Sequence, residues 1–581
     1  MAAPTSPALF DQFARGWRAY ALIALLALCA GLFGVGRVPV MDIDEGRFVQ
    51  ATRQMLDTGD FVRIKLQDAD RSRKPAGIHW LQAASVTAMS PFLDRNNVVW
   101  PYRIPSVLGL VMAALATLWA GAALLGPRTG FVGAVLYATG ILAGIEAMTA
   151  KTDSVLVGFT TLAIAALAQL RVGAARPRLT ALVFWGALAC GIMIKGPVTP
   201  MACGLTLLAL GVWERRAAWM KPLAWWPGPL LAIAIALPWL IAIGVVTQGR
   251  FYTELWASEL GPKLAGTDHA HQALPGYFLL LLPLLIFPAT YALPAAARLA
   301  WSTLRAPRND DEHSGLRFVL AWAVPTFLAF ELMPSKLVHY TLPTYPAITL
   351  LCAAGLMAMP QKRWRTAHPV GTVLFAVFGA LLVALMAFIA SFVPGDFNAD
   401  IRRAIGAGLI MATFLVGTII ALQIFRRPTA RAGLLALCAL IFSFGLRGHF
   451  LPEARSLFVS REAVEALTRA HMLPRPDQPF WVVGFTQPSF IFMTQTSVLL
   501  REPEAAAGEA HAGDLMMVEG RTYDETMQRL HDRGLALDEP DQPVRGIALG
   551  RGERTTLYYG RVVEADTASG GAAGDAPPRN P

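Results

Sequence analysis

The stretch 104–125, IPSVLGLVMAALATLWAGAALL, contains no charged residue. A transmembrane α-helix needs about 20 consecutive, mostly apolar residues to cross the hydrocarbon core of a bilayer, so this stretch is predicted to be a membrane span. The whole chain of 581 residues has the same character, because 55% of it is hydrophobic and only 15% is charged, whereas soluble domains carry about 25% charged residues. This composition excludes a soluble fold, a disordered chain and a collagen-like fibre.

Further apolar stretches predict a polytopic α-helical membrane protein with about thirteen spans. The candidate spans are 18–38, 104–125, 130–148, 154–171, 180–194, 197–213, 224–246, 275–297, 316–333, 341–359, 370–393, 404–425 and 431–447. The run 78–93 is shorter and contains polar residues, so it is predicted to be an interfacial helix. The first apolar run has no clear cleavage site after it and is interpreted as a retained span.

Basic residues occur in alternate short loops, which predicts that these loops are cytoplasmic. They are Arg128; Arg171, Arg176 and Arg178; Arg215, Arg216 and Lys221; Arg305 and Arg308; Lys362, Arg363 and Arg365; Arg426, Arg427 and Arg431. The N-terminus is then cytoplasmic, and the loop 41–103 lies on the outer face of the plasma membrane. The net charge of +10 is explained by such loops and by membrane lipids, so no nucleic-acid partner is expected.

The chain changes character after residue 452. Apolar strands, a helix and a hairpin predict a small α/β domain at 453–565 on the outer side, following a transmembrane domain at 1–452. The elements are the strands Phe480–Phe485 and Leu515–Val518, the helix Thr522–Arg533, and the hairpin of Val544–Leu549 with Thr555–Val562. Residues 566–581 are rich in Gly, Ala, Pro and Asp and are predicted to be a disordered tail.

The first outer loop is the first candidate site. It opens with Asp42-Ile43-Asp44-Glu45, whose carboxylates could act as a base or only as the cap of the following helix, which is predicted to lie on the membrane surface. It also breaks the charge rule, because it carries seven cations between residues 47 and 74, which favour a phosphate ligand. They are Arg47, Arg53, Arg63, Lys65, Arg71, Arg73 and Lys74.

Other polar groups fall at the outer ends of spans. Each has a structural alternative: Glu146, Lys151 and Asp153 could form only a local ion pair, Lys195-Gly196-Pro197 could be a turn, and Lys336 and Tyr340 could anchor a span at the interface. A divalent metal is an open candidate cofactor, because His269 and His271 lie among carboxylates, although a solvated loop explains them better. The five cysteines form no CxxC pair, so a zinc site based on cysteine is not expected.

Several of these segments resemble the bacterial aminoarabinose transferases, a family of membrane glycosyltransferases that use polyprenyl-phosphate sugars and are related to protein O-mannosyltransferases. The matching motifs are Asp44-Glu-Gly-Arg-Phe, Met55-Leu-x-x-Gly-Asp, Lys74-Pro-x-x-x-x-Trp80, Thr152-Asp153, Lys195-Gly-Pro, Ser335-Lys-Leu-x-His-Tyr-x-Leu-Pro-x-Tyr-Pro346, and Gly546 through Tyr559. The resemblance implies a GT-C fold with thirteen spans, interfacial helices and an outer α/β domain. Gly46 and Phe48 depart from the Ala and Tyr that the family often has.

The resemblance also implies roles for individual residues. Asp44 matches the functional acidic residue of the first loop, with Glu45 beside it, and Asp153 matches a second acidic position. Arg47 and Lys74 match residues that hold the donor phosphate, Tyr340 matches a tyrosine near it, and Lys336 is its basic neighbour.

The sequence therefore predicts an inner-membrane enzyme that moves a sugar from a polyprenyl-phosphate carrier to a periplasmic acceptor, lipid A or another envelope glycolipid. A protein acceptor is the first alternative. A transporter or flippase is the second, although its ionisable groups are expected near the middle of the membrane, and an assembly protein is the third. Two D-x-D patterns, at 42–44 and 68–70, are typical of nucleotide-sugar enzymes, but both lie in the predicted outer loop, away from cytoplasmic nucleotide sugars.

Overall fold

The computed structural model describes residues 12–42, 44–71, 73–262, 272–308, 310–359, 366–391, 398–540, 542–548 and 552–565. The predicted metal ligands His269 and His271, the basic loop 361–365 and the predicted tail 566–581 lie outside these residues.

The described part of the chain up to residue 443 is mostly helical. Its helices are α1 (Gly16–Leu32), α2 (Asp44–Thr58), α3 (Gly77–Met89), α4 (Trp100–Leu125), α5 (Pro127–Ala138), α6 (Ile141–Ala147), α7 (Asp153–Val172), α8 (Pro177–Lys195), α9 (Val198–Glu214), α10 (Pro227–Val246), α11 (Arg250–Leu255), α12 (Tyr277–Leu285), α13 (Leu293–Arg305), α14 (Ser314–Leu332), α15 (Tyr345–Ala358), α16 (Ala367–Ser391), α17 (Asn398–Ile424) and α18 (Pro428–Ser443). A short antiparallel pair, β1 (Lys65–Leu66) with β2 (Ala69–Asp70), interrupts the segment between α2 and α3.

The apolar helices agree with the span prediction. Among the described residues, eight helices are long and apolar enough to cross a membrane, and two bent pairs, α5 with α6 and α12 with α13, raise this number to ten. Three shorter apolar helices, α1, α9 and the helix at 342–358, fall on the remaining candidate stretches. Each of the thirteen predicted stretches therefore coincides with an apolar helix or a bent pair, and 78–93 coincides with the short helix α3.

A six-stranded sheet follows the helical bundle. Its strands are β3 (Phe480–Val483), β4 (Leu499–Arg501), β5 (Leu515–Glu519), β6 (Leu535–Asp538), β7 (Val544–Ala548) and β8 (Glu553–Glu564), and its helices are α19 (Val459–Arg469), α20 (Pro488–Met493), α21 (Pro503–Glu509) and α22 (Gly520–His531). The strand order is β4-β3-β5-β8-β6, with β7 also paired to β8. We call residues 459–565 the α/β region; it contains the predicted strands, helix and hairpin, together with elements that the sequence reading did not identify.

Helix α2 differs from the prediction of a helix that lies on the membrane surface. Its apolar residues Phe48, Val49, Ala51 and Met55 are buried, and so are the polar Gln50 and Thr52. The helix packs against α3 on one side and α20 of the α/β region on another. Other parts of the chain, rather than lipid, therefore cover most of its surface.

Candidate active site

Five segments that are far apart in sequence meet at the end of the bundle that carries the α/β region. They are the start of α2, the residues before α3, the turn between α6 and α7, the end of α8 and the loop before α15. Gly77 allows one of these approaches, because a Cβ atom there would lie 2.5 Å from the carbonyl oxygen of Met193. The close contact places Lys74, just before α3, next to Lys195 at the end of α8.

Charged side chains from three of these segments form a buried cluster. Asp153 accepts a hydrogen bond from Lys195 at 2.6 Å, and Lys151 lies 3.0 Å from Glu146 and 4.0 Å from Asp153. His339 stands between the two carboxylates, with Nε2 3.7 Å from Asp153 and Nδ1 3.9 Å from Glu146. The predicted ion pair of Lys151 with Asp153 is present, but it belongs to a larger network of two carboxylates, two ammonium groups and one imidazole.

The surroundings of His339 favour its neutral form. Burial is the main cause that places its pKa well below the ordinary value of 6.5, and the positive charges of Lys151 and Lys195 act in the same direction against the opposing effect of Asp153. The two ammonium groups of Lys151 and Lys195 lie against the two carboxylates of Glu146 and Asp153.

A cavity of about 500 Å³ opens beside this cluster. Most of its wall is apolar, with side chains from α7, α9, α11 and α14. The polar side chains at its wall are Arg73, Lys74, Asp153, Lys195, Glu259, His339 and Tyr340. Lys195 Nζ lies 5.4 Å from the centre of the Tyr340 ring, so a cation and a phenol face the cavity side by side. The cavity thus joins an apolar space to a group of hydrogen-bond donors.

Lys74 and Arg71 both contact the aromatic ring of Phe48. The Nζ atom of Lys74 lies 5.1 Å, and the guanidinium carbon of Arg71 4.9 Å, from the centre of the buried Phe48 ring, which also stacks on His79. Burial, followed by repulsion from Lys195, lowers the pKa of Lys74 from 10.5 to about 8, and burial with repulsion from Arg47 lowers the pKa of Arg71 to about 10. A bound anion would relieve this repulsion between cations.

A second cavity, of about 470 Å³, adjoins the first through Arg73, which lines both. Its lining also includes Arg47 and Arg71. Asp44 lies at the start of α2 with its side chain about half exposed, 3.7 Å from Arg47. The Asp44 charge acts on both Arg71, at the second cavity, and Lys151, in the buried cluster, so Asp44 is near both.

Two predicted site residues face away from both cavities. Glu45 is wholly buried: both its oxygens accept hydrogen bonds from Arg103 at 2.8 Å, and the backbone N–H groups of Met41 and Ala150 donate to it as well. Lys336 donates to the backbone carbonyls of Glu331 and Met333, at the end of α14. These contacts give both residues structural partners, and neither lines either cavity.

The described residues contain one group with the composition of a metal site, Glu146, Asp153 and His339, whose ligand atoms lie within 4.8 Å of one another. Both carboxylates already have an ammonium partner, since Lys195 holds Asp153 and Lys151 holds Glu146. A divalent cation would have to displace these two lysines. This group could therefore hold a divalent cation only in place of these lysine contacts, and no cofactor is established.

The structure brings together Asp44, Arg47, Lys74, Asp153 and Tyr340. Sequence reasoning gave no site role to Lys195 or His339, and it counted Arg71 and Arg73 only among the cations of the first outer loop. The segment Lys195-Gly196-Pro197 has a local explanation as a turn, and His339 appears only within the motif 335–346 that carries the family resemblance. Their local spacing gives no sign that α8 and the loop before α15 meet at one cavity.

Comparison with known proteins identifies similar chains. No protein-family model matches the chain. It is 28% identical over 349 residues to the undecaprenyl phosphate-alpha-4-amino-4-deoxy-L-arabinose arabinosyl transferase of Pectobacterium atrosepticum. This alignment covers 58% of this chain and 59% of that one. The enzyme of the same name from Aeromonas salmonicida is 24% identical over 434 residues, 73% of this chain and 75% of that one. The alignment thus spans less than two thirds of the length of the Pectobacterium relative.

Solved structures extend the similarity to nearly the full chain. The crystal structure of ArnT from Cupriavidus metallidurans bound to undecaprenyl phosphate superposes with a TM-score of 0.72 at 17% identity and covers 93% of this chain and 97% of that one. The apo form of the same protein gives a TM-score of 0.69. The resemblance stated from the motifs is confirmed, and the chain has the GT-C fold of these ArnT structures.

Proposed function

We propose that the chain is an integral membrane glycosyltransferase, which moves a sugar from a polyprenyl-phosphate carrier to an acceptor at the membrane surface. The observation that carries this proposal is the first cavity, with an apolar wall and with Lys74, Lys195 and Tyr340 at its polar part. A polyprenyl-phosphate donor has the same two parts: its hydrocarbon chain matches the apolar wall, and its phosphate matches the polar side chains. The relatives are named for undecaprenyl phosphate, which supports this class of donor.

The leaving group in this proposal is the lipid phosphate. The bond between the anomeric carbon of the sugar and the phosphate oxygen breaks, and the oxygen keeps the electron pair. Lys74, Lys195 and the Tyr340 hydroxyl stabilise the negative charge that develops there, because preorganised donors in a site shielded from water act most strongly on such charge.

Asp44 is the carboxylate that receives or orients the acceptor. Asp153 is tied to Lys195 at 2.6 Å, whereas Asp44 is half exposed and pairs with Arg47 only at 3.7 Å. If the acceptor is a hydroxyl, its proton passes to Asp44 as its oxygen bonds to the anomeric carbon. If the acceptor is a phosphate, it is already ionised and Asp44 acts by positioning it.

Arg47 and Glu45 receive different roles. Arg47, at the second cavity, binds anionic groups of the substrates. Glu45, enclosed by Arg103 and by the N–H of Ala150, positions the turn that carries Lys151 and Asp153. We propose no phosphate contact for Lys336, because its ammonium group is engaged by backbone carbonyls.

The acceptor in this proposal is lipid A or another envelope glycolipid, and a protein acceptor is the alternative. The enzyme lies in the bacterial inner membrane with its N-terminus in the cytoplasm and the α/β region in the periplasm. The charged groups of the site sit at the ends of helices that border the first outer loop, where a lipid-linked donor and a lipid acceptor both present their heads.

Mass spectrometry of envelope lipids and proteins tests this function. Cells with the wild-type protein are compared with cells that lack it and with cells that carry Asp44→Asn. We expect one envelope glycolipid to gain the mass of a single sugar only in wild-type cells, with normal amounts of both proteins in the membrane. Lipid and protein profiles that are identical in all three strains would reject the proposal, and a mass gain on a protein would select the alternative acceptor.

A further inference from the structure

Helix α2 lies between the candidate site and the α/β region. Asp44 and Arg47, three residues apart, lie on the side of the helix that faces the second cavity. Gly46, Gln50 and Arg53 follow the same helical spacing on another side, and this side meets α20 and the residues after it. The α/β region therefore contacts directly the helix that carries Asp44.

Two side chains of α2 bind the end of α20. Arg53 Nη1 donates to the carbonyl oxygens of Phe492 at 2.8 Å and Thr494 at 3.3 Å, and Gln50 Nε2 donates to Thr496 Oγ1 at 2.9 Å. The last carbonyls of a helix lack partners within the helix, so a cation there satisfies groups that would otherwise be orphaned.

Asp42 makes a second connection just before α2. Its side chain is buried, and Oδ1 accepts hydrogen bonds from the hydroxyls of Ser460, at 2.8 Å, and Ser489. Both serines belong to the α/β region. Asp42 is therefore buried and bound through Oδ1 to the α/β region, whereas Asp44, two residues later, is half exposed.

Gly46 allows α2 and α20 to approach each other closely. A Cβ atom at this position would lie 2.6 Å from the backbone nitrogen and 3.0 Å from the Cα atom of Ser489. Because these are backbone atoms, a larger residue could be accommodated only if α2 and α20 moved apart.

We propose that the α/β region is a positioning element for sugar transfer, and that Asp42, Gly46 and Ser489 are its positioning residues. The contacts of residues 42, 46, 50 and 53 with residues 460 and 488–496, which we call the α2 interface, hold Asp44 and Arg47 at the geometry needed relative to the donor cavity. This inference rests on the proposed function for its effect on rate, and on structure alone for its effect on α2.

The test uses the full-length protein with Gly46→Ala, and Gly417→Ala as the matched control. Both glycines are helical, but a Cβ atom at Gly417 meets nothing within 4 Å. We expect kcat of Gly46→Ala to fall about tenfold to a hundredfold, because displacement by about 1 Å has effects of this size. We expect a much smaller change in the donor dissociation constant, because Lys74, Lys195 and Tyr340 do not lie on α2. Equal kcat in wild type, Gly46→Ala and Gly417→Ala would overturn the inference.

Variants of Asp42 separate positioning from direct chemistry. Asp42→Asn keeps an oxygen that accepts the serine hydrogen bonds, whereas Asp42→Ala removes it. We expect the asparagine variant to retain most of kcat and the alanine variant to lose it, with Ser489→Ala between them. Asparagine and alanine variants that are equally impaired would show that the charge itself acts, which contradicts a positioning role.

Hydrogen exchange of the amides of α2 gives a readout that does not need activity. We expect these amides to exchange faster in Gly46→Ala and Ser489→Ala than in wild type and Gly417→Ala. Unchanged exchange in both interface variants would refute the α2 interface. A wild-type protein that transfers no sugar, with the expected exchange pattern, would refute the proposed function and leave the interface standing.

Discussion

The surroundings of Lys74 lead to a prediction about the pH dependence of donor binding. Burial, then repulsion from Lys195, lowers its pKa to about 8, while a phosphate ligand needs the protonated ammonium form. The free protein loses this proton as the pH rises through about 8, so we predict that the dissociation constant for a polyprenyl-phosphate sugar increases above this pH, roughly tenfold per unit. The donor phosphodiester keeps its single charge over this range.

Two variants control this prediction. Lys74→Arg carries a guanidinium that stays protonated, so its donor affinity should be lower at pH 7 but nearly constant up to pH 9.5. Lys221→Arg, far from the site, should behave like wild type. Donor affinity of the wild type that does not change between pH 7 and pH 9.5 would mean that the Lys74 ammonium does not bind the phosphate.

At the scale of elements, Glu45 and Arg103 join α2 to α4. Arg103 is wholly buried and also donates to the carbonyls of Val35, Val38 and Pro39. Removing the carboxylate leaves an uncompensated buried charge, which costs about 3–5 kcal/mol. We predict that Glu45→Ala strongly lowers the thermal unfolding temperature in detergent, whereas Glu509→Ala, at an exposed position of α21, leaves it unchanged. An inactive Glu45→Ala protein of normal thermal stability would instead support the catalytic role that the sequence predicted.

The same pair shows what sequence patterns can and cannot predict about a site. The motif Asp44-Glu45-Gly46-Arg47 correctly marked a helix start with charged residues, but in it Asp44 and Glu45 are equivalent candidates. Helix geometry separates them, because Asp44 lies half exposed while Glu45 points into the contact with α4. The partner Arg103 is 58 residues away, so no local spacing could have shown that Glu45 was already engaged.

Across the whole molecule, hydropathy predicted the helices well. Each span is one continuous apolar segment whose backbone N–H and C=O groups must be hydrogen-bonded within that segment. Strands such as β3, β5 and β8 were found for a similar local reason, since each is a short apolar run. The cavity was not predictable in this way. Lys195, His339 and Lys74 meet only through the packing of α3, α8 and the loop before α15, and each alone has an ordinary explanation as an interfacial residue.

The orientation of the whole chain is a prediction of the loop charges. Single cysteines are introduced into a cysteine-free protein at Arg95 and Glu509, on the predicted periplasmic side, and at Ala175, on the predicted cytoplasmic side. A membrane-impermeant thiol reagent on sealed cells should label positions 95 and 509 but not 175, and permeabilised cells should show all three. Labelling of 175 alone in sealed cells would place the site on the cytoplasmic side.

The central claim is that the sugar donor is a polyprenyl-phosphate sugar, which stays in the membrane. Purified protein in detergent is given a polyprenyl-phosphate sugar, or UDP- and GDP-sugars with no lipid carrier, together with the envelope glycolipid acceptor. Transfer is measured in each case with and without a chelator of divalent metals. We predict transfer from the polyprenyl-phosphate donor alone, at the same rate in the presence of the chelator. Turnover with a nucleotide sugar in the absence of any lipid carrier would contradict this account.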